Sequence, residues 1–399
     1  MKYDFDTVVD RGGNRSAKYD ERTKKFGTDQ VIPLWIADMD FKTAQPIVDA
    51  LTARAQEGIW GYTSRPDSYF EAIRGWQKRR NGWDIDPSLM SFSLGVVQSI
   101  SAMVKLFTPE GGSVLIQTPV YSEFYDMTEA WNRKVLENPF VEKDGRWEMD
   151  WADFEDKLAE ADLFLLCSPH NPLGIVWTPE ELRRMVELCI KHRVVLFSDE
   201  IHSDLIFHGK RHTPTASVSD EAARYVVTGI SGTKTFNLAG LQASTVVFPN
   251  AHMKQVFDQF WMNMDIHRNN AFSLTAMEAA FNHGRGVAGA AAALPVRQLR
   301  LCGGLLPGAH STDQDLRPRR HLPHVAGLPG AGPGQRRPAP LHDRAGGPGP
   351  QRRLLLRPQP ERLHAAQRRL PPQRAGAGDE AARSGGQGPL SPHRTGKRR

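Results

Sequence analysis

An α/β fold with a mainly parallel sheet is predicted for the first 284 residues of this 399-residue chain, from three observations. Short continuous apolar runs recur along it, each run is followed by a polar loop, and amphipathic stretches of helical length lie between them. Continuous apolar runs of this kind suit strands covered on both faces. Their alternation with helices argues for parallel crossovers.

Taken in order, Gly95-Val96-Val97 opens an apolar helical stretch over 99–107. A strand is predicted at 114–117, followed by the loop TPVY, and another at 163–167, followed by SPHNPLG. A helix is predicted over 179–192, with Thr178 as N-cap, Pro179 at the first helical position and Glu181 completing a capping box. Strands at 194–198 and 225–230 lead into Asp199-Glu200-Ile201-His202 and Ser231-Gly232-Thr233-Lys234, and 243–248 is a further strand. Ligands of such sheets bind beyond the carboxyl ends of the strands, so four polar loops are expected to converge there.

The net charge of +6 hides two compositions. Residues 285–399 hold 21 Lys and Arg against 6 Asp and Glu, leaving the first 284 residues at −9. The basic balance is therefore no argument for nucleic-acid binding by the body. Cys167, Cys189 and Cys302 form no CxxC pair or zinc spacing, so no metal site is expected. No apolar run is long enough for a membrane span, and the first 13 residues lack the apolar core of a secretory signal, so a cytoplasmic protein is expected.

Individual loop residues each carry two readings. Lys234, after a strand and small hydroxylated residues, can form a Schiff base if desolvated, or is a solvated surface charge. Asp199 can pair with a protonated cofactor ring nitrogen, or cap a helix. Asn171 can hydrogen-bond a cofactor oxygen, or serve the Asn-Pro turn. Tyr121 can stack on a ring, or join the core. The backbone at Val96 and Val97 can offer N–H groups to a phosphate, or simply start a helix.

The combination is more specific than its parts. In order the chain carries PLWIADMDF (33–41), GYTSRPD (61–67), GVVQSI (95–100), TPVY (118–121), SPHNPLG (168–174), SDEIHSDLIFHG (198–209) and SGTKTFNLAGL (231–241). This series resembles the MalY/PatB-type branch of the class I/II aminotransferase superfamily. That branch has the type I fold of pyridoxal 5'-phosphate (PLP) enzymes and includes carbon–sulfur β-lyases. The resemblance implies a PLP-binding large domain over 46–284, preceded by an arm over 1–45 that belongs in part to a small domain. It implies that Lys234 carries PLP and moves the Cα proton, with Asp199 at the pyridine nitrogen, Asn171 at the phenolic oxygen and Tyr121 on the ring. Val96, Val97 and Ser231 would hold the phosphate. Tyr62 would reach the phosphate of a neighbouring subunit, making a homodimer. The backbone at Ala37 would help hold the substrate carboxylate, and His202 would have a structural or proton-handling role. The implied reaction is α,β-elimination from a small sulfur amino acid such as cystathionine, giving a thiol, pyruvate and ammonia. The alternatives are an aminotransferase, a PLP-binding regulator and an inactive pseudogene product. Gln242 stands where many aminotransferases have a phosphate-binding arginine.

Residues 285–399 contain no Phe, Tyr, Trp, Ile, Met or Asn. Such a composition buries too little apolar area to offset its conformational entropy, so a disordered tail is expected from 285 onward. A sharper reading is a frameshift. With GC-rich codons shifted by one base, RGVAGAAA becomes EEWLEQLL, HLPHVAGLPGAGPG from His321 becomes TYLMWLDCRALGL, and RLHAAQRRLPPQ from Arg362 becomes GFMRLNAACPRS. In the family, the substrate carboxylate is held by an arginine in a segment like FMRLN. Here the corresponding bases fall on Ala365 and Ala366, so the chain as written is expected to lack most of its small domain and to have little activity. A basic RNA-binding tail is the competing reading, without aromatic residues for base stacking.

Overall fold

A computed structural model describes residues 4–143, 146–206, 210–286 and 288–289. All of them lie within Met1–Pro333, one of two units into which the chain divides; the other, Gly334–Arg399, lies outside the described residues. The strands are β1 (Met90–Ser93), β2 (Ser113–Thr118), β3 (Lys134–Lys143), β4 (Arg146–Met149), β5 (Leu163–Cys167), β6 (Val195–Asp199), β7 (Val227–Ile230) and β8 (Ser244–Val247). They form one eight-stranded sheet in the order β1-β8-β7-β6-β5-β2-β3-β4.

The centre of the sheet, β7-β6-β5-β2-β3, is parallel throughout. β8 runs antiparallel to both β7 and β1, and β4 antiparallel to β3. Consequently β1, β2, β5, β6 and β7 all end at the same edge.

The central strands are hydrophobic on both faces because both are covered. Leu163, Leu165 and Cys167 of β5 pack into one apolar cluster with Val195 and Phe197. Phe164 and Leu166 pack into the other, with Leu196 and Leu182. This is the two-residue alternation of a strand, and each such side chain contributes about 1.5–3 kcal/mol by leaving water. Gly229 of β7 is required by close packing, since a Cβ there would lie 2.6 Å from Phe197 and 3.2 Å from Val96.

The helix Pro179–His192 starts on the predicted capping box of Thr178 and Glu181. The helix Val96–Phe107 begins three residues before its predicted apolar stretch, with Gly95 as N-cap. β1, β3 and β4 were not legible as apolar runs. β1 reads MSFS, and β3 carries Asn138 and Pro139 and is mostly exposed towards its end. The strand at 243–248 is antiparallel, which its composition does not distinguish from parallel.

The helix Ala271–His283 packs against the helices Gln45–Gln56 and Asp67–Asn81. Helical backbone recurs at 285–286 and 288–289, and Ala288 is buried against the core. Helical backbone thus extends a few residues into the segment whose composition predicted a disordered tail. The reread segments at His321 and Arg362, and Ala365 and Ala366, lie outside the described residues.

Candidate active site

The common edge of β1, β2, β5, β6 and β7 gathers the predicted loops because parallel strands send their carboxyl ends one way. Asp199 is the last residue of β6 and is buried. Its Oδ1 accepts the Ile201 N–H at 3.0 Å, closing a turn, and no helix follows, so it does not act as a helix cap. Its Oδ2 accepts no hydrogen bond among the described residues. Burial pushes this carboxyl up to about 7; Glu200 adds to the effect, while the Ile201 N–H and Lys234 oppose it.

Lys234 follows β7 and is half-buried. Its Nζ donates to the Ala37 carbonyl at 3.0 Å. Burial lowers the pKa of the ammonium, and the charges of Asp38 and Asp199 act against that lowering. Burial, and then the Lys234 charge, lower His202 to about 4, so its ring is neutral at pH 7. Tyr121, after β2, is 42% exposed and so is not a core residue. Burial of part of its ring, then Glu123 and Asp199, raise its hydroxyl pKa.

Asn171 sits after β5, where its N–H donates to Cys167 Sγ at 3.3 Å and its side chain has no partner among the described residues. The neighbouring His170 is buried edge-on against Phe140. Val96 and Val97 occupy the first turn after Gly95, and the first intrahelical bond runs from Ser99 N–H to the Gly95 carbonyl, so their own N–H groups are free of helix partners. Ser231 differs from these residues in that its hydroxyl already donates to the Ala243 carbonyl at 2.7 Å. Tyr62 is 93% exposed, with Arg268 over its ring at 5.3 Å.

Three features escaped residue-by-residue reading. Asn237, in the left-handed region at φ 57°, accepts the Met39 N–H at 3.0 Å and donates to the Met39 and Phe41 carbonyls at 2.9 and 3.0 Å. Asp38 and Asp40 are clamped by Arg11 and Lys18, which ties the arm to itself beside Lys234. Asp204 is a buried carboxylate reaching the residue after Lys234. Each lies in a quoted motif, but only the fold pairs it with its partner.

A lysine whose charge is disfavoured, a buried carboxylate with one open oxygen, and unpartnered amide, phenol and N–H groups around them make a site for an anionic, ring-nitrogen cofactor. This donor set fits PLP, with an acceptor for its pyridine N–H, a donor for its phenolic oxygen and helix N–H groups for its phosphate. The architecture is that of a type I PLP enzyme.

Residues 29–279 match the aminotransferase class I and II family, and the chain belongs to it. It is similar to cystathionine β-lyase PatB of Bacillus subtilis (strain 168), 43% identical over 282 residues, covering 70% of this chain and 73% of the relative. It is also similar to protein MalY of Escherichia coli (strain K12), 32% identical over 286 residues, covering 71% and 73%. Its fold is like that of a PLP-bound putative aminotransferase from Clostridium difficile 630, with TM-score 0.74 and 41% identity over 75% of this chain and 78% of that one. Among the described residues no helix is long and apolar enough to cross a membrane, and no group of three or more His, Cys, Asp or Glu is placed to hold a metal ion.

Proposed function

We propose that this chain carries the body of a PLP-dependent carbon–sulfur β-lyase acting by α,β-elimination. Its substrate would be a small amino acid with sulfur on Cβ, of the cystathionine or cystine class. The observation that carries the reading is the buried Asp199, with an open Oδ2, set beside a lysine whose charge is disfavoured. The likeness to cystathionine β-lyase PatB supports the lyase over the aminotransferase, as does Gln242 in place of an arginine.

When bound, PLP supplies an electron sink for negative charge at the substrate Cα. The chain's own residues do the rest. Asp199 Oδ2 would hold the proton at the ring nitrogen, and Asn171 would orient the phenolic oxygen. Tyr121 would cover a ring face. The N–H groups of Val96 and Val97 would hold the phosphate, joined by the Ser231 hydroxyl once it turns from the Ala243 carbonyl. Lys234 Nζ would hold the cofactor and is the base placed to take the substrate Cα proton; burial lowers its pKa, which favours the basic form. His202, neutral at pH 7 and close enough to feel the Lys234 charge, would be a structural or proton-handling group. The Ala37 backbone borders the substrate carboxylate. Tyr62, fully exposed on one chain, suits a role at the phosphate of a second copy in a homodimer. The arm is residues 1–45 and the PLP domain 46–284, with 285–399 an out-of-frame tail.

The test is pyruvate release from L-cystathionine with added PLP, for the chain as written and for a version with the reading frame restored after 284. The restored version is expected to release pyruvate and the written chain little. Exchange with 2-oxo acids in excess of pyruvate would make it an aminotransferase. No pyruvate from the restored version would overturn the lyase reading.

A further inference from the structure

Asp204 is 4% exposed, and a buried carboxylate is costly unless it is paired and hydrogen-bonded. Two of its partners come from the helix Asp67–Asn81. Arg80 Nε donates to Oδ1 at 3.1 Å, and Trp76 Nε1 lies 3.2 and 3.1 Å from the two oxygens. Those contacts already neutralise the charge. A further bond leaves the group, as the buried Thr235 hydroxyl donates to Oδ2 at 3.0 Å.

Thr235 follows Lys234 in a tightly wound segment. The Phe236 N–H bonds to the Gly232 carbonyl at 2.9 Å, and the Leu238 N–H to the Thr233 carbonyl at 2.9 Å. Within a turn closed by these bonds, the backbones of adjacent residues are held together. Fixing the direction of Thr235 therefore fixes that of Lys234. Thr235 is β-branched and stiff about its first torsion, so a bond to its hydroxyl holds the backbone as well as the side chain. The next ring, Phe236, packs on Trp76 at 5.4 Å, which strengthens the link between the helix and this turn.

We propose that Asp204 is a positioning residue for Lys234, acting through the Thr235 hydroxyl from an anchorage on Trp76 and Arg80. The inference rests on Lys234 being the PLP-bearing lysine. It assigns Asp204 no contact with substrate or cofactor.

Thr235→Val is the decisive variant, because it removes the link while leaving Asp204 with Trp76 and Arg80. Asp204→Asn strikes all three partners at once and is a secondary comparison. The full chain is titrated with PLP, the pH midpoint of the bound-PLP absorbance is measured, and PLP fixed by borohydride is located by peptide mass. Thr235→Val is expected to weaken PLP roughly tenfold, the effect of one hydrogen bond to a charged group, and to move the midpoint. Thr235→Ser, which keeps the hydroxyl, is expected to restore both. PLP fixed on Lys234 with the parent's affinity and midpoint in Thr235→Val overturns this role and leaves the lysine assignment standing. PLP fixed elsewhere, or not at all, in the parent chain overturns both.

Discussion

Lys234 stands between two flanks held by different physics, the buried ends of the sheet and the described part of the arm, residues 4–45. On the sheet side, Glu200 follows Asp199 and is fully enclosed. It accepts from Ser198 Oγ at 3.0 Å, from the Thr215 N–H at 2.8 Å, and lies 2.8 Å from His212 Nε2. On the arm side, Arg11 pairs with Asp38 at 2.8 Å and Asp40 at 2.9 Å, and Lys18 with Asp40 at 3.0 Å; Lys18 is buried, and the two carboxylates are only partly covered, Asp40 the more exposed. Buried pairs are screened little by salt, and exposed ones are screened strongly. The contrast suggests a fixed floor for the cofactor and an arm of lower local stability that can open without unfolding the sheet.

The largest expected effect tests whether the two flanks serve Lys234 at all. Lys234→Ala should lower pyruvate formation by at least about 10²–10⁴-fold in the frame-restored protein and abolish borohydride-fixed PLP. Retention of fixed PLP would show that neither flank is organised around this residue.

A second effect belongs to the sheet flank alone. Asp199 has a folded pKa of about 7, above its ordinary 3.8, so the folded PLP-free protein binds the proton more tightly than the unfolded chain does. Its contribution to stability is therefore greatest below pH 4 and is lost as pH rises to about 7. Urea unfolding of the PLP-free chain at pH 5 and pH 8 should show a smaller loss of stability in Asp199→Asn than in the parent, by about 2–3 kcal/mol. Equal losses would mean that the carboxyl is not desolvated as the fold implies.

The arm flank has its own probe. Asn237→Ala removes the three hydrogen bonds to Met39 and Phe41. A cost of about 1–3 kcal/mol in local stability is expected, read as faster proteolysis between residues 20 and 35 with unchanged global unfolding. The smallest effect is that of salt. Raising ionic strength should speed arm cleavage by less than about fivefold, because these partly covered pairs are screened only in part. A larger effect on global unfolding than on the arm would erase the distinction between the flanks.

Much of the sheet flank was legible from sequence. Continuous apolar runs at β2, β5, β6 and β7 marked buried strands, and parallel direction then placed Tyr121, Asn171, Asp199 and Lys234 at one edge. The arm flank was not legible in this way. Asp38, Asp40 and Asn237 are short polar residues whose local sequence fits an exposed loop as well as it fits a latch. Their partners lie far away in sequence, nearly 200 residues in the case of Asn237 and Met39.

What the sequence determined by itself was the family, the central strands and the capping box at Thr178, because these depend on local periodicity and on ordered motifs. The tertiary structure alone decided the antiparallel course of β8, the burial of Ala288 and the link from Asp204 to Thr235. It also decided the balance of charge around Lys234. Burial and through-space charge set those properties, and both arise only when distant segments meet.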